Sequence, residues 1–133
     1  MKKYVFDSYA LIAFFEQERG ADIVEKALKE ISTNKAQGWL TIINWGEIYY
    51  ITFRSYGEAK AKEILEWIEN TSLILIEADK LLTWEAAQLK AKYSIAYANC
   101  FALALAKQKE AELLTGDPEF KKVKENVKII WLT

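Results

Sequence analysis

The sequence predicts an α/β protein, a three-layer α/β/α sandwich around a central, mainly parallel sheet. Three observations carry this. Short apolar runs recur along the chain and alternate with stretches of helical spacing. The first run, Tyr4-Val5-Phe6, is continuous rather than alternating, as in a strand covered on both faces. A helical pattern then starts without a linker, through Leu11, Ile12, Phe14 and Phe15, so that Asp7 stands where a core strand ends and a helix begins.

Residues 3–6 read as the first strand and residues 8–16 as a short helix, broken by the polar run from Glu16 to Gly20. Residues 21–31 have helical spacing through Ile23, Val24, Ala27, Leu28 and Ile31. Residues 32–38 read as a polar turn and 39–43 as a second strand. Asn44 then serves as the N-cap of a helix, with Glu47 three residues on as in a capping box. That helix ends near Tyr56-Gly57, and residues 58–69 form another, amphipathic one. Residues 73–76 are the third strand, and Asp79 caps a helix that reaches about Tyr93. Residues 97–107 are apolar through Phe101, Leu103, Ala104 and Leu105, which marks a central helix. Residues 112–115 are the fourth strand, 116–120 a turn entering one helical turn, and 128–131 the last strand. No repeat, low-complexity segment or linker interrupts the chain, so residues 1–133 are expected to form a single domain.

Composition narrows the chemistry. Of 133 residues, 52% are apolar and five are Trp, enough for a real core. The net charge is −1 and the pI about 5.6, so nucleic-acid binding must rest on a local patch or on metal ions. There is no His, which excludes His-based acid–base catalysis, Ser-His-Asp triads and His-ligated zinc. The one cysteine, Cys100, rules out an internal disulfide and fits a reducing compartment. Neither a signal peptide nor a membrane span is evident, and a soluble, cytoplasmic protein is expected. The glycine-rich nucleotide-binding fingerprints are missing.

The polar residues at strand ends carry the functional reading. Asp7 follows the first strand, and Glu47 is placed in the first helical turn after the second. Asn99 lies in the first turn of the central helix. Asp117 follows the fourth strand, with Thr115 two residues before it. In a doubly wound sheet these places share one edge, where ligands bind. Convergence there would make an oxygen-rich pocket for a hard cation such as Mg²⁺. Two such ions, about 3.5–4 Å apart, can stabilise both oxygens of a phosphodiester cleavage. Each residue also has a structural reading. Asp7 can be an N-cap, Asp117-Pro118 an N-cap–N1 pair, Glu47 half of a capping box and Asn99 a capping or core amide. Asp79 is read as a plain cap. Lys121, Lys122 and Lys124 follow Asp117 closely enough to meet a phosphate backbone, although interleaved lysines usually form solvated faces. Arg54 and Lys2-Lys3 are weaker candidates. Tyr9, Trp45, Tyr49 and Tyr97 are available to stack on bases, with packing as the alternative.

Four segments resemble the motifs of PIN domains, in order and at the right spacing. They are Val5-Phe6-Asp7-Ser8-Tyr9-Ala10-Leu11, Asn44-Trp45-Gly46-Glu47-Ile48-Tyr49-Tyr50, Tyr97-Ala98-Asn99-Cys100-Phe101-Ala102-Leu103-Ala104 and Leu114-Thr115-Gly116-Asp117-Pro118-Glu119-Phe120. The resemblance is closest to VapC-type toxins of prokaryotic toxin–antitoxin pairs. It implies an α/β/α sandwich, an endoribonuclease dependent on Mg²⁺ or Mn²⁺, a homodimer and a cognate antitoxin that blocks the site. Carried over by position, Asp7, Glu47, Asn99 and Asp117 would be the catalytic and metal-binding residues, with Ser8 and Thr115 as supporting hydroxyls. Asn99 departs from the family, which usually has Asp there; it keeps a carbonyl oxygen and loses a negative charge. A PIN-like domain that binds RNA or a protein without cutting is therefore the alternative. A signalling receiver is the other, but Asp117 stands where a receiver needs a Lys.

Overall fold

In the computed structural model, which describes residues 1–133, the first strand is the middle of a five-stranded sheet. The elements are β1 (Lys2–Phe6), α1 (Ser8–Phe15), α2 (Ala21–Ser32), β2 (Ala36–Thr41), α3 (Ile42–Tyr56), α4 (Glu58–Glu69), β3 (Ile74–Ile76), α5 (Lys80–Lys92), α6 (Tyr97–Lys109), β4 (Glu112–Thr115), a 3-10 turn at Pro118–Lys122 and β5 (Ile129–Trp131). The strand order is β3-β2-β1-β4-β5, and every neighbouring pair is parallel.

Side chains alternate between the two faces of the sheet, and the helices divide accordingly. Tyr4, Phe6, Leu40 and Leu114 pack with Leu11, Val24, Ile48, Ile64 and Ile68 of α1 to α4. Val5, Trp39 and Leu113 pack with Leu82, Ala86, Phe101, Leu103 and Leu105 of α5 and α6. This is the three-layer sandwich expected. Asn99 to Ala106 of α6 are all buried, so the helix apolar on nearly every side is the central one. No helix is long and apolar enough to cross a membrane.

Two local expectations are corrected. The second strand begins at Ala36 and ends at Thr41, so part of the expected turn is sheet and Ile42-Ile43 are helix. Gly38 lies within that strand because a Cβ there would fall 2.3 Å from Ile31 Cδ1, where α2 presses on the sheet. The N-cap of α3 is Thr41 rather than Asn44. The Thr41 hydroxyl oxygen accepts from the Asn44 N–H at 3.0 Å and donates to Asn44 Oδ1 at 2.6 Å. Glu47 consequently lies in the second turn of the helix, free of capping.

Glu125 pins the segment before β5 to the α5–α6 face. Its carboxylate accepts from Lys92 Nζ at 2.8 Å, Lys107 Nζ at 2.6 Å and the Tyr93 hydroxyl at 2.6 Å. These donors hold its pKa down at about 2. The stabilisation is therefore present above pH 4.5 and lost as pH falls towards 2. Glu125→Gln is expected to cost on the order of 1–2 kcal/mol at neutral pH, discounted for the exposed lysines. Urea denaturation should show the deficit vanishing at strongly acid pH.

Candidate active site

The C-terminal ends of the three middle strands are in register. Phe6 pairs with both Leu40 and Leu114, so Asp7, Thr41 and Thr115 emerge side by side at one edge. Asp7 is 1% exposed and is the N-cap of α1, its Oδ1 accepting from the Ala10 N–H at 2.9 Å. Its Oδ2 accepts from the Thr115 hydroxyl. Thr115 Oγ1 in turn accepts from the Asp117 N–H at 3.0 Å, which locks the turn after β4 to the end of β1. Burial pushes the Asp7 carboxyl up to about 7 against the pull of the Thr115 and Ala10 hydrogen bonds, and the charges of Asp117 and Glu47 push the same way.

Glu47 is held from two sides. Ser8 Oγ donates to Glu47 Oε1 at 2.5 Å, and the Asn44 amide reaches the same oxygen at 3.5 Å. Asn44 is fully buried and also donates to the Ala98 carbonyl at 3.4 Å, so it ties α3 to the start of α6. Asn99 turns its amide nitrogen, not its oxygen, to the acids. Nδ2 donates to Asp117 Oδ2 at 3.0 Å and to Glu119 Oε1 at 2.8 Å. Glu119 Oε1 also accepts from the Ala96 N–H at 2.8 Å.

These groups enclose a cavity of about 270 Å³. Asp7, Ser8, Glu47, Asn99 and Asp117 line it together with Glu18, while Tyr9, Ile12 and Ile51 form an apolar wall. No Lys or Arg lines it. Thr115 supports it from below. Lys121, Lys122 and Lys124 do not reach it: Lys121 Nζ lies 6.0 Å from the centre of the Trp131 ring, Lys122 Nζ donates to the Ser94 carbonyl, and Lys124 is exposed, with its backbone N–H donating to the Tyr93 hydroxyl. Asp79 caps α5, accepting from the Leu82 N–H at 2.8 Å, and takes no part in the cavity. Of the aromatic candidates, Tyr9 alone lines it; Tyr49 packs on Phe53, and Tyr97 on Phe101.

Sequence reasoning missed Glu18, Glu119 and the role of Asn44. Glu119 had a signal, its position two residues beyond Asp117 in a turn. Glu18 had none, because it is placed by Gln17 in a left-handed conformation (φ 55°) that nothing in the residue type announces.

The donor set suits a hard divalent cation. Its acids offer only oxygens and feel one another's charge, and no basic side chain neutralises them. Nowhere do three acidic side chains close tightly enough to cage a bare ion. An ion that keeps several of its waters fits such an open arrangement.

The fold and this edge define a parallel α/β/α domain with an acidic pocket at its strand ends. The sequence profile of the PIN domain matches residues 4–126, and the chain belongs to the PIN domain family. Among solved structures, it is similar to DNA-bound VapBC of Salmonella typhimurium, at 12% identity over all of both chains with a TM-score of 0.76. VapBC2 of Rickettsia felis, bound to a DNA fragment from its promoter, shares 16% identity over 96% of this chain and 97% of that one, with a TM-score of 0.75. VapC20 of Mycobacterium tuberculosis, a sarcin-ricin loop cleaving toxin, shares 11% identity over 90% and 93%, with a TM-score of 0.69. At these identities the likeness is one of fold. Comparison with curated proteins gives no match.

Proposed function

We propose that this protein is a metal-dependent endoribonuclease and the toxin of a toxin–antitoxin pair. One observation carries the reading. Carboxylates from three distant segments, Asp7, Glu47 and Asp117, meet around one cavity with no cation among its side chains. The relatives of like fold support it: one is a sarcin-ricin loop cleaving toxin, and another is a toxin–antitoxin complex from Klebsiella pneumoniae.

In this reading Asp7, Glu47 and Asp117 hold Mg²⁺ or Mn²⁺, directly or through water, and position 99 borders the same ion. A divalent ion there supplies a water of lowered pKa and charge stabilisation at the scissile phosphate. The chain's own residues do the positioning. Ser8 and Asn44 fix the Glu47 carboxylate, and Thr115 fixes Asp7 relative to Asp117. Asn99 keeps Asp117 and Glu119 from repelling each other. Asp7 must lose its proton before an ion can bind, and its raised pKa sets that loss near neutrality. The family further suggests a homodimer, a cytoplasmic setting and an antitoxin that occupies the cavity.

Purified protein should cleave labelled RNA with Mn²⁺ or Mg²⁺ and stop on addition of EDTA. Cleavage that survives chelation, or a complete lack of cleavage with either ion, would overturn the proposal. The second outcome would leave the non-cutting RNA- or protein-binding domain. Its support is Asn99, whose amide nitrogen already does between Asp117 and Glu119 part of what a cation would do.

A further inference from the structure

The apolar wall of the cavity poses a separate question, which rests on the nuclease reading and deepens it. An RNA strand approaching this site meets carboxylates and no lysine or arginine. Charge attraction to the phosphates, the usual source of affinity, is missing at the cavity itself. Apart from a bound ion, uncharged contacts must hold the substrate while its phosphate lies against the acids.

Tyr9 is placed to do so. It directly follows Asp7-Ser8 in the chain and lines the cavity beside Asp117, yet it is 39% exposed. Its ring lies on the backbone of Gly116, the residue between Thr115 and Asp117. A Cβ at position 116 would fall 2.3 Å from Tyr9 Cε1, 2.6 Å from Cζ and 2.9 Å from Cδ1. Only glycine admits the ring at that distance. The same contact fixes one edge of the ring and leaves the remainder open at the mouth of the cavity. Core packing does not need this: Tyr9 belongs to neither of the two buried clusters. Ile12 and Ile51 continue the apolar wall beside it.

The geometry points to Tyr9 as the floor of a base-binding subsite, on which one unpaired base of an RNA strand stacks next to the phosphate held at the acids. Stacking on an aromatic ring needs a base that is splayed out of a helix, so the substrate class is single-stranded RNA or an RNA loop. Gly116 is the positioning residue of that subsite.

Binding of a short single-stranded oligoribonucleotide carrying 2-aminopurine, measured with Ca²⁺ in place of the cleaving ion, tests this. Tyr9→Ala is expected to weaken binding roughly ten- to a hundredfold, while Tyr9→Phe and Tyr9→Trp keep it. Gly116→Ala, which must push the ring off its seat, should weaken binding to a similar extent with circular dichroism unchanged. The 2-aminopurine fluorescence should be quenched by the parent and not by Tyr9→Ala. A fully paired duplex should bind weakly and ignore all four substitutions. Parent-like affinity in Tyr9→Ala would overturn the subsite, and so would the absence of any single-strand binding by the parent. Weakened binding of Tyr9→Ala in a protein that never cleaves RNA would keep the subsite and remove the nuclease. Cleavage of RNA by a protein whose affinity ignores Tyr9 would do the reverse.

Discussion

Asp7→Asn is expected to abolish metal-dependent RNA cleavage and, in the absence of metal, to yield a protein harder to unfold than the parent above neutral pH. Burial raises the Asp7 carboxyl from 3.8 to about 7. The folded protein therefore keeps a proton that the unfolded chain gives up much earlier. Stability falls as pH rises between those two values, and above the higher one the whole penalty remains. A shift of roughly three units corresponds to at most about 4 kcal/mol. Asn has one acceptor oxygen for two donors, the Ala10 N–H and the Thr115 hydroxyl, so the variant recovers less, about 2 kcal/mol. Urea denaturation in EDTA should show the advantage of the variant at pH 8 and its decline towards pH 4. The parent should bind Mn²⁺ more tightly as pH rises to about 7, because ion and proton compete for Asp7. Undiminished cleavage by the variant would remove Asp7 from the site. Equal stability of the two proteins at pH 8 would show that the buried charge is already compensated. A residue that destabilises the resting fold and is indispensable to the reaction is a common trade at active sites.

What was legible in the sequence follows from how each signal is encoded. β1 and α6 were readable because burial on all sides requires unbroken apolar runs, and Tyr4-Val5-Phe6 and Phe101-to-Ala106 supply them. Asp7 was readable because it stands directly after such a run, and Asp117 because it follows β4 by two residues. The start of α3 was misplaced for a definite reason. Thr41 and Asn44 are both good caps, and local chemistry does not choose between them. The choice is made by strand pairing, which keeps Thr41 beside Ile76 in the sheet and lets the helix begin behind it. The moved cap places Glu47 a turn deeper, where Ser8 can reach it from α1. Gly38 and Gly116 stand in stretches that read as turn punctuation; both are sites of close approach, by Ile31 and by Tyr9, and the partner in each case is remote or on another element. Glu18 and Glu119 enter the site through chain reversals whose direction no periodicity reports. Likewise, residue type alone placed Asn99 at the edge but said nothing about which end of its amide would face the acids.

That orientation sets the second large effect. Asn99→Asp exchanges a double donor for an acid at the point where Asp117 and Glu119 both accept. Without metal the variant loses two charge-assisted hydrogen bonds and sets a third carboxylate against both Asp117 and Glu119. It is expected to be about 2–3 kcal/mol less stable than the parent at neutral pH. The deficit should shrink under acid conditions, where one proton shared among the three relieves the repulsion. A divalent ion reverses the balance, because the added charge that harms the resting protein attracts the cation. Mn²⁺ should bind about tenfold tighter or more, and saturating Mn²⁺ should raise the melting temperature further in the variant than in the parent. Calorimetry and thermal denaturation, each with and without Mn²⁺, read both halves. A destabilised variant with unchanged Mn²⁺ affinity would mean that position 99 faces its neighbours and not the ion, so the acids that hold the metal would be Asp7, Glu47 and Asp117 alone. A gain in affinity together with faster cleavage would mean that the parent uses a weakened form of the site, in which the Asn99 amide steadies Asp117 and Glu119 until an ion arrives.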